Sequence, residues 1–495
     1  MATGTIMWLS RVSSLLLRRI AGAGQVAGTV VIASCTCVWA GDWTLTPRFN
    51  VEETFTDNVA LAGPGRERHE FITSVEPGLS VRGEGKRLQF NLEYNMEVLV
   101  YQRDATPNAI NQQLQSDASA ELLEKVAFVD LRATRSQQNA NSFVRTAADN
   151  LSATGNSSEV TTYRISPYAR HHLGDFADAE LRYTIDGVTN ESNGARNTSR
   201  SATSALTLTS GAHFSRAKWR IDYSRQRVIN LSGSINRFRR VQGELRYRFS
   251  RRYGALVRLG KERNEFPSSQ PSTGSNYWSF GLTWTPSSRT TVEGEYGKRF
   301  FGHRFGLNLS HRTRRTLWTA SFTEQPTQSR QLQLERVLVP LQDALGNPVP
   351  DPATGTQVGV PVDTVNPTDE VLVRSRFDGA VDLFGRRTTG RIAIFSEARR
   401  FQVSGNLITV DGTTFNFNRS LTPKDTLSIM GLYQVRKNQA TNQKDERMSM
   451  NMRYAHSFGP DFRGTIGFNK VKQNSSSANN EFDEHRMSIG VLTTF

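Results

Sequence analysis

Apolar and polar residues alternate along most of the chain after Trp43. The clearest run extends from Leu88 to Val100, where Leu, Phe, Tyr, Met and Val occupy every second position and Gln, Asn and Glu lie between them. Residues 371–383 and 448–458 show the same alternation. A period of two is that of a β-strand, whereas an amphipathic helix needs apolar spacings of three and four. The pattern predicts an all-β chain without a helix of useful length.

Marking every alternating stretch predicts 22 strands. Their approximate spans are 43–55, 69–82, 87–101, 113–123, 127–133, 159–169, 176–186, 200–214, 217–226, 237–249, 252–261, 276–285, 290–296, 304–312, 316–324, 370–384, 388–396, 413–421, 426–436, 447–458, 462–471 and 485–495.

The connections between these strands are sorted by length. Gaps after even-numbered strands are short, as at 83–86, 250–251 and 385–387, whereas gaps after odd-numbered strands are mostly long and polar, as at 187–199 and 325–369. Outer-membrane barrels have short periplasmic turns and long external loops, but a soluble sandwich has no reason for such sorting. The sequence therefore predicts a transmembrane antiparallel up-and-down β-barrel of about 22 strands (range 18–24), located in the bacterial outer membrane.

The last predicted strand, residues 485–495, ends on an aromatic residue. Ser488, Gly490 and Phe495 match the C-terminal assembly signal of bacterial outer-membrane barrels, which it resembles, although Thr493 stands where an apolar residue is expected. The resemblance implies recognition by the barrel-assembly machinery. An ordinary terminal strand is the alternative interpretation.

The twelfth predicted strand indicates which face meets lipid. Trp278, Phe280, Leu282 and Trp284 share one face, and the two tryptophans are about 20 Å apart at roughly 3.4 Å per residue. That separation suits the two aromatic girdles of a membrane barrel, so we predict that Trp278 and Trp284 belong to them. A core strand of a soluble sandwich would explain this strand equally well.

Residues 1–40 form a separate segment. Arg11, Arg18 and Arg19 precede a weakly apolar stretch, and the residues before Ala40 suit a signal peptidase, which predicts a cleaved signal peptide. The alternative is lipidation of Cys35. Cleavage would leave a mature chain, residues 41–495, without cysteine, and hence without disulfides or thiolate metal sites. We predict that this chain is a single barrel domain with no plug domain ahead of its first strand.

Composition excludes other classes. After residue 40 no apolar run approaches the roughly 20 residues that a membrane-spanning helix needs. The formal net charge is +15, but the arginines are spread singly and no nucleic-acid-binding motif accompanies them, so no nucleic-acid partner is predicted. The proline-rich segment 325–369 is predicted to be an external loop that folds into the lumen or reaches a partner.

The face opposite the predicted lipid face is rich in charged residues. Two interpretations remain open: a basic wall that favours anionic solutes, or arginines that pair with carboxylates of neighbouring strands and stiffen the wall. The predicted inward arginines are Arg220, Arg246, Arg248, Arg258, Arg304, Arg374, Arg376 and Arg453, and the predicted inward carboxylates are Glu93, Glu97, Glu180, Asp222, Glu244, Asp378 and Asp382.

Signals for catalysis are poor. The eight histidines are scattered, and neither a nucleophile elbow nor a zinc-protease motif is present. The sequence predicts no enzyme, no cofactor and no metal site.

The mature N-terminus carries a family resemblance. Residues 43–59 (W-T-L-T-P-R-F-N-V-E-E-T-F-T-D-N-V) and 71–79 (F-I-T-S-V-E-P-G-L) resemble the opening of outer-membrane proteins associated with the PEP-CTERM/exosortase system. The resemblance implies a role in the outer membrane of exopolysaccharide-producing bacteria, with exopolysaccharide or export-system proteins as partners besides membrane lipid. The favoured hypothesis is a porin-like channel for exopolysaccharide or other hydrophilic solutes, anionic ones included. The alternatives are a non-conducting docking barrel and an enzyme acting on lipid or glycan.

Overall fold

The computed structural model describes residues 41–103, 106–192, 194–269, 272–334, 339–340, 359–360 and 366–495. The predicted signal peptide, with Cys35 and Ala40, lies outside the described residues. So does most of the predicted loop 325–369. No helix in the described ranges is both long and apolar enough to cross a bilayer.

The chain forms 22 long strands in one sheet and two short strands, β16 and β17, in a separate ribbon. One six-residue helix, α1 (Ser329–Leu334), follows β15, and a single 3-10 turn covers Ala478–Asn480. The strands are β1 (Gly41–Thr56), β2 (Glu70–Gly85), β3 (Leu88–Tyr101), β4 (Ala109–Leu123), β5 (Ala127–Asn139), β6 (Ser157–Leu173), β7 (Ala177–Ser192), β8 (Ala195–Ser210), β9 (Ala217–Ile229), β10 (Ile235–Arg248), β11 (Tyr253–Glu265), β12 (Ser275–Ser287), β13 (Thr290–Arg299), β14 (Gly302–Arg312), β15 (Thr316–Gln328), β16 (Val339–Pro340), β17 (Gly359–Val360), β18 (Val371–Phe384), β19 (Thr388–Phe401), β20 (Leu407–Ser420), β21 (Asp425–Asn438), β22 (Gln443–Ser457), β23 (Phe462–Ser475) and β24 (Phe482–Thr494).

The long strands close into a barrel. Each pairs antiparallel with the next along the chain, β15 pairs with β18, and β24 returns to β1 with Arg48 opposite Thr494 and Thr56 opposite Arg486. Closure leaves no free sheet edge, which is the condition for strands to cross a bilayer. The predicted fold class, an antiparallel transmembrane barrel of about 22 strands, is confirmed.

The strands are longer than the alternating pattern indicated. β6 has 17 residues and β7 has 16, whereas about 10 tilted residues cross a membrane. The predicted loop 187–199 is mostly strand, because Val188 pairs with Ser199 and Asn190 pairs with Asn197. Polar residues on both faces hid this part of the ladder. We call the end that carries the short connections the short-turn end and the opposite end the long-loop end.

The outer surface of the barrel is apolar. On β12, Trp278 and Trp284 are 45% and 46% exposed, and Phe280 and Leu282 lie between them on the same face. Ser279, on the opposite face, is buried. A closed barrel with an apolar exterior is stable only in a bilayer, so the protein is an outer-membrane barrel.

The predicted C-terminal assembly residues lie at the seam between β24 and β1. Ser488 and Gly490 face inward, and Gly490 lies opposite Glu52 of β1. Phe495 is 75% exposed, and its backbone N–H donates to the carbonyl oxygen of Pro47 at 3.0 Å.

The assignment of the two faces of β12 predicts how strongly an introduced arginine destabilises the barrel on each face. Leu282→Arg should lower the free energy of unfolding by about 2–4 kcal/mol, because it places a cation near the middle of the bilayer. Thr283→Arg, on the inward face beside Glu293, should cost less than about 1 kcal/mol. Equilibrium unfolding from phospholipid vesicles, followed by tryptophan fluorescence, measures both. Equal losses would contradict the assigned faces.

Candidate functional site

The strand register determines which side chains face the lumen. Cross-strand partners share a face, so Arg258, opposite Ser279, lies on the side away from Phe280. The same reasoning places the other predicted arginines inside: Arg220, Arg246, Arg248, Arg304, Arg374, Arg376 and Arg453.

One ionic cluster lies on β10 to β14. Arg258 donates to Glu244 at 2.6 Å and to Glu295 at 2.5 Å, and it is only 15% exposed. Arg304 reaches the same Glu295 at 3.0 Å. Arg246 contacts Glu244 at 2.6 Å and Glu293 at 2.7 Å. Each carboxylate of this cluster therefore bonds to arginine, which joins neighbouring strands across the inner wall.

A second cluster surrounds Glu397 on β19. Its side chain is buried and accepts hydrogen bonds from Arg374 at 2.7 Å, Arg376 at 2.7 Å and Arg399 at 2.5 Å. Arg376 also contacts Asp378 at 2.6 Å. Sequence reasoning missed Glu397 because the predicted strand ended one residue before it. The inward face of a slightly longer strand would have included it.

The remaining predicted arginines differ in their partners. Arg220 pairs with Asp222 at 2.9 Å, and Arg453 pairs with Glu52 at 3.5 Å. Arg248 instead donates to the carbonyl oxygen of Ser215 at 3.2 Å. All of the predicted arginines except Arg248 thus have a carboxylate partner, so most of the positive charge of the wall is neutralised locally.

The segment between β5 and β6, residues 140–156, folds into the lumen; we call it the crossing loop. Its Asp149 accepts two bonds of 2.6 Å from Arg486 on β24. Arg486 is 3% exposed and also donates to Glu484 at 2.8 Å. We call the pair Asp149–Arg486 the latch. Next to it, Asn150 donates to Glu97 on β3 at 2.8 Å.

The first part of the crossing loop contacts β22. The carbonyl oxygen of Phe143 accepts a bond of 2.8 Å from Gln443 on β22, and Arg447 donates to the hydroxyl of Thr146 at 2.8 Å. A loop that leaves β5 thus reaches β22 and β24 and covers the lumen between them. Polar residues without periodicity gave no sign of this path.

Residues 57–69, which we call the first loop, pack against the crossing loop. Val59 is buried with Ile72, Leu99 and Tyr101, and the crossing-loop residue Leu151 contacts this group. Leu61 is buried with Val471 and Phe482, against Ala147 and Ala148 of the crossing loop. These two apolar clusters hold the two loops together at the long-loop end.

Helix α1 covers the adjacent sector. Arg330 forms a buried ion pair with Asp186 of β7, and Gln333 donates to Asn190 at 2.8 Å. Leu334 packs against Val160 and Val188. The described part of the predicted loop 325–369 therefore turns inward at the long-loop end.

A polar cavity lies inside the barrel, bounded at one end by helix α1. Its volume is about 1100 Å³, and it extends from Arg82 near the short-turn end to Gln328 and Gln331 at the long-loop end. Arg132, Arg164 and Arg240 are among its lining residues. The arrangement is a water-accessible compartment inside the membrane barrel, with helix α1 at its long-loop end.

The environment of Asp149 shifts its pKa. Burial raises the pKa of this carboxyl, but the two hydrogen bonds and the charge of Arg486, with the backbone N–H of Leu151, outweigh burial, so the pKa lies below its usual range. The carboxylate is therefore charged at neutral pH and the latch is closed.

The described histidines do not form a complete Ser–His–Asp arrangement. His172, His456 and His485 each contact an aspartate, and none of these contacts includes a serine within the part of the chain that the structure describes. The described residues also contain no group of three or more side chains that could hold a metal ion.

The buried carboxylate of β19 predicts a large effect on stability. Glu397→Gln leaves Arg374, Arg376 and Arg399 without its negative charge and should lower the free energy of unfolding by about 3 kcal/mol. Asp222→Asn removes the partner of the half-exposed Arg220 and should cost no more than about 1 kcal/mol. Equilibrium unfolding from vesicles compares the two variants, and equal costs would contradict the view that Glu397 organises the wall.

The latch predicts a pH response. Because the pKa of Asp149 is lowered, its ion pair stabilises the docked loop at neutral pH and is lost as the pH falls through that lowered value, below about 4. A nitroxide on Ala148→Cys should become mobile in this range, as followed by electron paramagnetic resonance. Adding Asp149→Asn should make the label mobile already at pH 7. An immobile label in that variant would contradict the role of the latch.

Comparisons with known proteins support the fold. No family model matches the sequence, and no curated protein matches it. Among solved structures, the chain is similar to a mutant of the ferric enterobactin receptor PfeA from Pseudomonas aeruginosa, at 10% identity and a TM-score of 0.51, covering 92% of this chain and 81% of that one. It is also similar to the FrpB iron transporter from Neisseria meningitidis, at 11% identity and a TM-score of 0.51, covering 92% and 83%. At such identities the likeness concerns the barrel fold alone.

Proposed function

We propose that this barrel is an outer-membrane channel for hydrophilic solutes whose outer mouth is closed by the crossing loop. The observation that carries the proposal is the polar cavity, which extends from the short-turn end to helix α1 at the long-loop end. A polar, water-accessible interior within an apolar outer wall suits passage of solutes that the bilayer excludes.

The lid is suited to opening because polar contacts provide much of its anchoring. Hydrogen bonds from Gln443 and Arg447, and the latch at Asp149, can exchange for bonds to water when the loop lifts. Only small apolar clusters, around Val59 and Leu61, must separate at the same time. The closed state is therefore held by polar contacts that water can replace and by small apolar clusters.

The wall also supports a hydrophilic cargo. Arginine–glutamate pairs present donors and acceptors along the inner face without a dense field of one sign, as around Glu244 and Glu295. A polar chain that moves along such a wall can replace each hydrogen bond to the wall with the next one. The resemblance of residues 43–59 and 71–79 to exosortase-associated barrels supports exopolysaccharide as that chain. The names of the similar structures, a receptor and a transporter, support solute passage in general.

The proposal predicts a channel with a low open probability that increases when the latch is removed. Residues 41–495 refolded into a planar bilayer should show rare conductance steps at pH 7, because Asp149 and Arg486 hold the lid. Asp149→Asn should raise the open probability by roughly tenfold, as expected for the loss of about 1.4 kcal/mol of a charged hydrogen bond. Asp175→Asn, in the short turn between β6 and β7 and away from the lid, is the matched control.

Deletion of residues 335–365 tests the rest of the predicted loop 325–369, because β15 and α1 stay intact. If the deletion and Asp149→Asn are both folded and both silent, the channel proposal fails, and a docking barrel that presents its loops to surface polymer becomes the better explanation. Charge reversal of Arg374 or Arg376 is a poor test, because it would disrupt the buried cluster at Glu397.

A further inference from the structure

The short-turn end of the barrel carries an arc of positive charge. The arc comprises the short turns between β8 and β23, which are residues 211–216, 249–252, 288–289, 313–315, 385–387, 421–424 and 458–461. The carboxylate in these turns is Asp461. Their cationic residues are Arg216, Arg251, Arg252, Arg289, Arg314, Arg315, Arg386, Arg387 and Lys424.

One part of the arc encloses a cavity of about 550 Å³, which we call the mouth cavity. Arg386, Arg387 and Lys424 line it from two turns, and Arg463 lines it from the start of β23. Asp461 is the carboxylate among its lining residues. Within the described residues, Arg386, Arg387 and Lys424 form no ion pair with a carboxylate, so the cavity keeps its positive charge.

A smaller cavity of about 220 Å³ lies in another sector of the same mouth. Arg216, Lys218, Arg248, Arg251 and Arg252 contribute to its lining, and no carboxylate does. The Arg248 side chain donates to the carbonyl oxygen of Ser215. The two cavities share one property: the cations that line each concave site outnumber its lining carboxylates.

This property contrasts with the wall deeper in the barrel. There, nearly every predicted inward arginine has a carboxylate partner, as Arg258 has Glu244 and Glu295. Like charges held close together repel, by about 1 kcal/mol per pair at 4 Å even in water. A concave lining of one sign raises the local concentration of the opposite charge. An anionic ligand would offset the repulsion at the mouth.

We propose that the two cavities at the short-turn end bind the acidic groups of a polyanionic chain that enters the lumen from that side. A chain fits better than a small anion because the two cavities are linked along the arc by Arg289, Arg314 and Arg315. The register places Lys218, Arg248 and Arg463 on the inward face, toward a lumenal ligand and away from lipid headgroups. The inference deepens the proposed function by naming the charge class of its cargo.

Binding is measured on refolded residues 41–495 in a zwitterionic detergent, without a membrane. The probes are fluorescent oligogalacturonate, which carries carboxylates, and inorganic polyphosphate, with neutral dextran as the uncharged control. The wild-type protein should bind one or both polyanions, and the affinity should fall as salt is raised. Comparison of the two polyanions identifies the acidic group that the mouth prefers.

The decisive variant is Arg386→Gln combined with Arg387→Gln and Lys424→Gln. It should weaken polyanion binding by about tenfold, because three exposed charge contacts are lost. The matched control combines Lys86→Gln, Arg87→Gln and Lys125→Gln, which removes the same charge from short turns outside the arc and both cavities and should weaken binding by less than about threefold. Heat-modifiable migration on gels checks that both variants are folded barrels.

Several outcomes would overturn the inference. They are absence of polyanion binding by the wild type, equal losses in the two triple variants, or a loss that appears only for nanodiscs containing phosphatidylglycerol, which would assign the cations to lipid. Binding without any conductance would leave this inference standing while the channel proposal fails. Conductance without binding would do the reverse.

Discussion

The structure depends on one constraint: inside a bilayer every backbone N–H and C=O must find a partner within the protein. The chain meets it by pairing β24 with β1, which leaves the sheet without an edge. Once the ring is closed, alternate side chains of each strand must face lipid or lumen. The apolar exterior around Leu282 and the charged interior around Glu397 are two consequences of the same pleat.

Closure also creates a wide interior, of which the protein fills one part and leaves the other part to water. The crossing loop, the first loop and α1 occupy the long-loop end, where Val59, Leu61 and Leu334 provide small apolar clusters. Below them most of the predicted inward arginines are paired with carboxylates. Along the arc of short turns, Arg386, Arg387 and Lys424 form no such pair within the described residues, so the electrostatic character of the lumen changes toward that part of the short-turn end.

The sequence predicted the strands and their faces well because both are local properties. Alternation from Leu88 to Val100 identifies a strand, and the register then places Trp278 outside and Arg258 inside. Strand ends were harder, because polar pairs such as Asn190 with Asn197 continue the ladder without alternation. The site was harder still. Asp149 and Arg486 meet across more than 300 residues of sequence, and no periodic pattern records such a contact.

The position of Arg486 has a consequence for the order of assembly. Arg486 belongs to β24, the last strand to be made, and it lies opposite Thr56 of β1, at the seam. Thr56 also donates to Glu484 at 2.8 Å, next to the side chain that holds Asp149. The lid therefore has no anchor at this point until the first and last strands have met. An incomplete barrel would lack the latch, so sealing of the seam and closing of the latch are one step in the maturation of the protein.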